Sequence, residues 1–286
     1  MVLAQSLESD SWGEGREFVM TESDFQFIAI TADRLSGIQL GPQKKDMVYS
    51  RIARRVRALN LKSVTEYCEY LKVHPSEELH FVNSLTTNLT YFFREEHHFI
   101  RLAQYVQNWR ASGERRLRIW SAGSSTGEEV YSMAMTLSEQ GVLNSGKDIK
   151  LLATDLDTHV LAHGRRGEYM TDTMRGVSKD RLSKFFSPAP GSEGALIVDE
   201  SLRRIITFNQ LNFLDDKWPM RGPFDVIFCR NVLIYFNREF QAKIITKLAK
   251  LLKPGGLLCI GHSENGQNVT PLLEFEHHTT YRRVGP

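Results

Sequence analysis

The chain has 286 residues, of which 41% are hydrophobic and 24% are charged, as in an ordinary globular protein with a sizeable buried core. Its formal net charge of +2 is too small to indicate that the surface as a whole binds nucleic acid or a membrane, so an electrostatic partner must be sought in local clusters. No apolar stretch approaches the length that spans a bilayer.

The compartment is predicted from the cysteines and from the first residues. Three cysteines stand far apart without CxxC spacing, which favours buried thiols in a reducing compartment over disulfides or a zinc site. Residues 1–15 lack the basic start and the apolar core of a signal peptide. We therefore expect a cytoplasmic protein in which residues 1–17 form a disordered tail.

The first region with a clear pattern, residues 18–95, has helical periodicity throughout, and we predict an all-α N-terminal domain there. Thr21 and Asp24 have the spacing of a helix N-terminal cap, and Gly37 ends the apolar pattern that follows them. Further helices are predicted at 41–59, 64–71, 76–85 and 96–109. The last of these helices lies in a connecting segment, residues 96–112.

From residue 113 to residue 286, short β-rich runs alternate with helical segments, which predicts a mostly parallel sheet with crossover helices. The predicted strands are 117–120, 149–153, 205–208, 225–229 and 257–260. Residues 169–204 interrupt the alternation with turn-type and strand-type segments, so we predict a small antiparallel β-subdomain there. Residues 275–279 and 280–284 are predicted to add an antiparallel edge.

The loop after the first predicted strand, residues 121–127, contains Gly123 and Gly127 and precedes a helix. A strand, a glycine-containing turn and a helix are the pattern with which open α/β sheets bind nucleosides. The loop lacks both the GxGxxG of dinucleotide enzymes and the GxxxxGK[ST] of phosphate loops, so nothing here evidently cradles a pyrophosphate or a triphosphate. A ligand with a ribose but no phosphate fits better, which favours S-adenosylmethionine over nucleotides.

Acidic side chains follow at positions where such a cofactor would use them. Asp155 ends the second predicted strand, where a carboxylate can accept hydrogen bonds from ribose hydroxyls, whereas Asp157 is better placed to cap the next helix. Glu129 lies in the first turn after the loop, where it either meets the cationic methionine end of the cofactor or complements the helix dipole. For Glu128 we expect the dipole role.

Polar and aromatic residues after the next two strands are further candidates. Asn212 and Phe213 follow the third strand, where they would bond an adenine edge and pack on its ring, although most asparagines in such turns only cap them. Arg230 and Asn231 directly follow an apolar strand, at the edge where open α/β sheets bind ligands. The Asp/Asn-Pro-Pro-aromatic sequence of many enzymes that methylate amino groups is absent here, and an anionic nucleophile would not need it.

The segment before the sheet alternates large apolar residues with the polar Asn88, Thr90 and Arg94, and is either a buried hinge or a strip that lines a cleft. His97 and His98 follow as a pair. Adjacent residues of a helix point in different directions, and no matching cysteine or carboxylate spacing accompanies them, so no metal site is predicted.

The second predicted helix has one apolar face and one basic face. The basic face consists of Arg51, Arg54, Arg55 and Arg57, and no acidic residue stands between positions 46 and 66. Such a face is usually only solvated, but four arginines without a nearby carboxylate suggest an acidic macromolecular partner. Exposed ion pairs contribute at most about 1 kcal/mol each, so the face would orient a partner in a salt-dependent way without holding it tightly.

Five motifs together resemble the CheR family, the chemotaxis receptor glutamate O-methyltransferases. In chain order they are LTTNLTxFFRE from residue 85, STGEExYS from 125, TDLD from 154, FCRNVxIYF from 228 and LKPGG from 252. The likeness extends from about residue 18 to residue 281. It implies a Rossmann-like S-adenosylmethionine-dependent methyltransferase domain that carries a small antiparallel β-subdomain insertion and is preceded by an all-α N-terminal domain.

The resemblance also implies roles for individual residues. It places S-adenosylmethionine, and its product S-adenosylhomocysteine, against Asn88, Thr90, Arg94, Glu129, Asp155, Asn212, Phe213, Arg230 and Asn231. Arg94 and Tyr235 would position the reacting groups. The basic face of the second helix would meet the acidic cytoplasmic helices of methyl-accepting chemotaxis receptors. In some family members the β-subdomain also docks a peptide from the receptor C-terminus.

The implied chemistry agrees with the lack of an evident catalytic dyad. A glutamate carboxylate has a reference pKa of about 4.3 and is already ionised at neutral pH, so it needs no general base. Two other functions stay open at this point: methylation of another acidic polymer such as RNA, and a non-catalytic adaptor that binds S-adenosylmethionine. A dehydrogenase is disfavoured by the missing GxGxxG. We expect a monomer with no nucleic-acid partner and no insertion into the membrane.

Overall fold

A computed structural model of the chain describes residues 11–12, 15–143 and 145–285, and most of the predicted tail lies outside these ranges. The described chain divides into two compact units, Met1–Thr87 and Asn88–Pro286. The sequence placed this boundary after residue 95. The difference has a simple physical cause, because Phe92 and Phe93 are buried in the hydrophobic core of the second unit.

The first unit is helical, as predicted, with a short strand pair at its beginning. The elements are β1 (Ser11–Trp12), β2 (Met20–Thr21), α1 (Glu22–Ser36), α2 (Lys45–Ala58), α3 (Val64–Val73) and α4 (Glu77–Leu85). The predicted cap of α1 is present, since the Thr21 hydroxyl accepts from the Asp24 amide at 3.1 Å and the Asp24 carboxylate accepts from the Thr21 amide at 2.9 Å. Gly37 ends this helix with φ 74°.

The second unit is built on a seven-stranded sheet. Its strands are β3 (Arg116–Ala122), β4 (Asp148–Asp155), β8 (Ile206–Gln210), β9 (Phe224–Cys229), β10 (Leu252–Ile260), β11 (Leu273–His277) and β12 (Thr280–Arg283). The strand order is β11-β12-β10-β9-β3-β4-β8, with β8, β4, β3, β9 and β10 parallel and the last two strands antiparallel. The predicted parallel sheet and its antiparallel edge are both present.

Helices cover both faces of the large sheet. They are α5 (His97–Ala111), α6 (Glu128–Glu139), α7 (Thr158–Arg166) and α10 (Arg238–Leu251). Consecutive residues of a strand point to opposite faces, so Ile119 belongs to one core cluster and Trp120 to the other. Both side chains are fully buried, which stabilises the fold by about 1.5–3 kcal/mol for each such residue.

The predicted β-subdomain is a separate three-stranded antiparallel sheet in the order β5-β7-β6. Its elements are β5 (Glu168–Met170), α8 (Lys179–Phe185), β6 (Phe186–Pro188), β7 (Ala195–Val198) and α9 (Glu200–Arg203). Within the described part of the chain, no helix combines the length and the apolar composition needed to cross a bilayer.

Candidate functional site

The loops that leave the carboxyl ends of β3, β4 and β9 meet at one edge of the large sheet. The amides of Gly123 and Ser124 both donate to the carbonyl oxygen of Thr154 at 2.8 Å, which fixes the loop after β3 against the end of β4. Three adjacent parallel strands end here, where open α/β sheets bind their ligands. Two of the side chains predicted to bind a cofactor lie directly at this edge, since Asp155 ends β4 and Arg230 follows β9.

Gly123 is required by the neighbouring loop. It has φ 92°, and a Cβ atom added there would lie 2.2 Å from Cγ2 of Val232 in the loop after β9. In the structure the group that excludes a side chain is Val232, so the glycine lets two loops of the site pack together.

Asp155, the last residue of β4, is held by backbone donors. Its Oδ2 accepts from the amide of Ser125 at 2.8 Å and its Oδ1 accepts from the amide of Asp157 at 3.0 Å. Burial raises the pKa of Asp155 to about 6, and these amide donors only partly oppose the increase. Each carboxylate oxygen has a second lone pair, so the group can still accept hydrogen bonds from a ribose.

Asn88 belongs to the same part of the site. Its Nδ2 donates to Oδ2 of Asp157 at 2.9 Å, and its carbonyl accepts from the Ser125 hydroxyl at 2.9 Å. Asp157 also caps α7 through the amide of His159, which is the role predicted for it. Thr90 is half-buried on the same segment. Asn88 is therefore fixed beside Asp155, and a direct contact of either Asn88 or Thr90 with a cofactor stays a prediction.

Arg230 lies at the centre of a buried ionic network. Its side chain is 1% exposed, and its guanidinium pairs with Glu129 at 3.0 Å and with Glu95 at 3.3 Å. The Ser121 hydroxyl donates to the other oxygen of Glu129 at 2.7 Å. Burial raises the pKa of Glu129, and Arg230 and Ser121 oppose this increase. A cationic ligand group placed beside Glu129 would favour its ionised form.

The turn after β9 is organised by a carboxylate that the sequence did not single out. Glu264 is 6% exposed and accepts hydrogen bonds from the amides of Gly261, Asn231 and Leu233. Asn231 has φ 59°, a left-handed conformation that asparagine tolerates better than most residues. An acidic residue shortly after the apolar strand β10 was the available signal, but its backbone partners, which also include the amide of Ile234, are brought to it only by folding.

Arg94 is half-buried, and its Nη1 donates to the carbonyl of Leu89 at 2.9 Å. The guanidinium carbon also lies 5.9 Å from the centre of the Tyr91 ring. Among the described residues no carboxylate pairs with Arg94, so its charge is available to an anionic group. The carbonyl of Arg94 accepts a hydrogen bond from Arg230, which ties this segment to the ionic network.

The remaining candidates differ in what surrounds them. Asn212 accepts the amide of Leu214 at 3.0 Å and so caps its own turn. The Phe213 ring is buried among aromatic side chains, 5.4 Å from that of Trp218. Tyr235 is half-buried at the end of a 3-10 turn in the loop after β9. The adenine contacts of the first two residues and the positioning role of Tyr235 stay predictions.

Three possible metal ligands come together next to Arg230. The donor atoms of Glu95, His97 and His98 lie within 4.8 Å of one another, a cluster that the sequence did not predict. Oε2 of Glu95 is also 3.3 Å from the fixed guanidinium of Arg230. A divalent cation at this position would face that positive charge at close range, so we assign no metal here.

Two of the four arginines predicted to bind an acidic partner have partners inside the first unit. Arg55 forms a bidentate pair with Glu77, with both N–O distances 2.8 Å, and Glu77 also accepts from the Tyr67 hydroxyl. Arg51 donates to the carbonyl of Thr86 at 2.7 Å. These two guanidinium groups thus help to hold α4 against α2.

The other two arginines lie on the exposed part of α2. Arg57 pairs with Glu17 at 3.0 Å, and both side chains are about half exposed. Arg54 is exposed, and no carboxylate in the described ranges forms an ion pair with it. Of the four residues, Arg54 is the one whose charge is fully available to another molecule. Their contact with a substrate stays a prediction.

Comparisons with known proteins agree with this geometry. A family model described as CheR methyltransferase, SAM binding domain matches residues 88–282, and one described as CheR methyltransferase, all-alpha domain matches residues 23–86. The chain is 42% identical over 267 residues to chemotaxis protein methyltransferase 2 of Pseudomonas aeruginosa, covering 93% of this chain and 95% of the relative. It is 41% identical over 265 residues to the chemotaxis protein methyltransferase of Escherichia coli, covering 92% and 91%.

Proposed function

The chain belongs to the CheR family of S-adenosylmethionine-dependent methyltransferases, and we propose that it methylates glutamate side chains on the cytoplasmic helices of chemotaxis receptors. The product would be a glutamyl methyl ester, formed in the cytoplasm. One combination of features in the second unit carries this proposal. Asp155 and Glu129 lie at the sheet edge where a cofactor would bind, and the same unit contains Arg94, for which the described residues provide no carboxylate partner.

The residues at the sheet edge fit S-adenosylmethionine. Asp155 offers free acceptor positions to a ribose, and Glu129 offers a carboxylate to an ammonium group. The Ser124 hydroxyl is buried in the loop after β3 and has no protein partner in the described chain, so it remains available to a ligand atom. Arg230 holds the Glu129 carboxylate in place through their ion pair at 3.0 Å.

The chain's part in the reaction is to place and desolvate the two reacting groups. When bound, S-adenosylmethionine supplies an electrophilic methyl group on a sulfonium sulfur. The substrate carboxylate is already ionised, so no proton has to be removed. Arg94 would orient this carboxylate, and Tyr235 would shape the cleft where the methyl group is transferred. Alignment of this kind lowers the activation barrier, because the loss of orientational freedom occurs when the substrates bind and not in the chemical step.

The direct test is transfer of tritiated methyl from S-adenosylmethionine to a cytoplasmic receptor fragment, with mapping of the labelled residues. We expect label on glutamates that base releases as methanol. Base-stable label on RNA would instead support methylation of another acidic polymer, and cofactor binding without any transfer would support an adaptor. In the same assay Arg94→Ala should lower turnover at saturating cofactor and substrate, while Arg94→Lys retains more of it. Unchanged turnover of Arg94→Ala would refute the positioning role.

We also propose that the exposed part of α2 contacts the receptor, with Arg54 as its most available charge. Arg54→Glu should raise the KM for the receptor fragment at low salt, and the difference should shrink as ionic strength increases. Lys62→Glu is the matched control, because Lys62 is exposed in the same unit and the charge change is identical. An equal response of the two variants would contradict a specific role of Arg54.

The β-subdomain has the geometry to dock a receptor C-terminal peptide as an added strand. Within this sheet β6 pairs with β7 alone, which leaves its other edge to a partner. Residues 186–198 contain no lysine or arginine, so such binding would rest on backbone hydrogen bonds and apolar contacts. Fluorescence anisotropy with a labelled receptor peptide should then show an affinity that changes little with salt. No binding at any ionic strength would exclude this docking.

A further inference from the structure

The carboxylate of Glu95 joins three separate chain segments. Glu95 follows Arg94 directly, and its Oε1 accepts hydrogen bonds from Nδ2 of Asn231 at 3.2 Å and from Nδ1 of His262 at 3.1 Å. Its Oε2 lies 3.3 Å from the guanidinium of Arg230. The segment before α5, the turn after β9 and the loop after β10 therefore converge on one side chain.

The surroundings of Glu95 keep it ionised and fixed. Burial alone would raise its pKa, but Arg230, His262 and Asn231 together lower the pKa to about 2. The side chain is 11% exposed. Its backbone has φ 56°, a conformation that non-glycine residues seldom adopt and that the surrounding contacts must maintain.

Arg230 links Glu95 to both halves of the site. The same guanidinium pairs with Glu129, predicted to meet the methionine end of the cofactor, and donates to the carbonyl of Arg94. With Glu95 removed, Arg230 would keep Glu129 as its one carboxylate partner among the described residues, and the Asn231 amide would lose the Glu95 acceptor. Both side chains would then be held less firmly, although Arg230 would retain Glu129 and the carbonyl of Arg94 as partners.

We propose that Glu95 is a positioning residue, which acts through Arg230 and Asn231 to hold the cofactor edge of the sheet in its binding geometry. It does not touch the reacting atoms. Its loss should weaken cofactor binding, because Arg230 and Asn231, the groups that Glu95 holds, are those proposed to face the cofactor.

The test is calorimetric binding of S-adenosylhomocysteine to the full chain carrying Glu95→Gln. We expect the Kd to rise about tenfold, within the usual range of coupling between contacting residues. Glu96→Gln is the matched control, because Glu96 is the adjacent residue and is exposed. The double variant Glu95→Gln/Arg230→Gln should bind no more weakly than Arg230→Gln alone, since the two residues act as one unit.

Equal affinity of the Glu95→Gln and Glu96→Gln variants would overturn the proposal, and so would full additivity in the double variant. If Glu95→Gln does not fold, Glu95→Asp decides the question. Asp keeps the charge but reaches its partners less well, so we expect an intermediate affinity, and wild-type affinity would count against the proposal. Because the readout needs no methyl acceptor, a failure to form glutamyl esters would refute the proposed function without changing this result.

Discussion

Cofactor binding should weaken as the pH falls through about 6, because Asp155 must be ionised to accept fully from a ribose. Its carboxylate is oriented by the amides of Ser125 and Asp157, and burial raises its pKa to about 6. At pH 5, one unit below this pKa, protonated Asp155 exceeds the ionised form about tenfold. If only the ionised form binds, the apparent Kd should be about tenfold higher at pH 5 than at pH 8.

Isothermal titration with S-adenosylhomocysteine between pH 5 and pH 8 measures this change directly. Asp155→Asn should bind more weakly at pH 8 and should lose most of the pH dependence. Glu129→Gln is the necessary control, because burial raises the pKa of Glu129 as well. If Asp155→Asn keeps the tenfold loss and Glu129→Gln abolishes it, the titrating group is Glu129 and the assignment of Asp155 is refuted.

The raised pKa of Asp155 also predicts how the stability of the protein changes with pH, and this change is opposite in direction to the change in cofactor affinity. The pKa of Asp155 is higher in the folded protein than in an unfolded chain, so the folded state holds more protons between about pH 4 and pH 6. The contribution of Asp155 to stability therefore increases as the pH falls through this window. A loss of affinity at pH 5 with unchanged circular dichroism would be the expected combination.

Two further substitutions test the packing of the site by urea unfolding. Gly123→Ala should destabilise the protein by about 2–4 kcal/mol, because alanine meets both the left-handed backbone and the side chain of Val232, and Val232→Ala in the same chain should recover part of the loss. Arg230→Met should cost about 3–5 kcal/mol at pH 8, since it leaves Glu95 and Glu129 buried without their cation. The cost of Arg230→Met should be smaller at pH 5, where Glu129 protonates more readily. No recovery in the first case, or equal stability of Arg230→Met and the wild type in the second, would contradict these contacts.

Local patterns in the sequence predicted most of the secondary structure. The Thr21 cap, the Gly37 helix end and the parallel strands depend on neighbours a few residues away, so their signals are contained in short windows. The boundary between the two units was harder to predict from the sequence. Whether Phe92 and Phe93 belong to one core or the other depends on packing with distant residues, and periodicity is the same in either case.

The sequence also identified where polar side chains gather, because residues that follow parallel strands meet at one edge of the sheet. It did not predict their partners. Arg230 pairs with Glu129, 101 positions away, and the basic face of α2 is partly occupied by Glu17 and Glu77 from other parts of its unit. The number of arginines in this helix therefore overestimates the positive charge that is exposed to another molecule.

The sequence by itself determined the family, the parallel sheet and the edge at which Asp155 and Arg230 lie, because these follow from short motifs and from strand order. Only the tertiary structure decided that Gly123 makes room for Val232, and that Glu95 is held by groups from the turn after β9 and the loop after β10. The physical reason is that ionic and steric partners are selected by distances of a few ångströms between residues far apart in the chain.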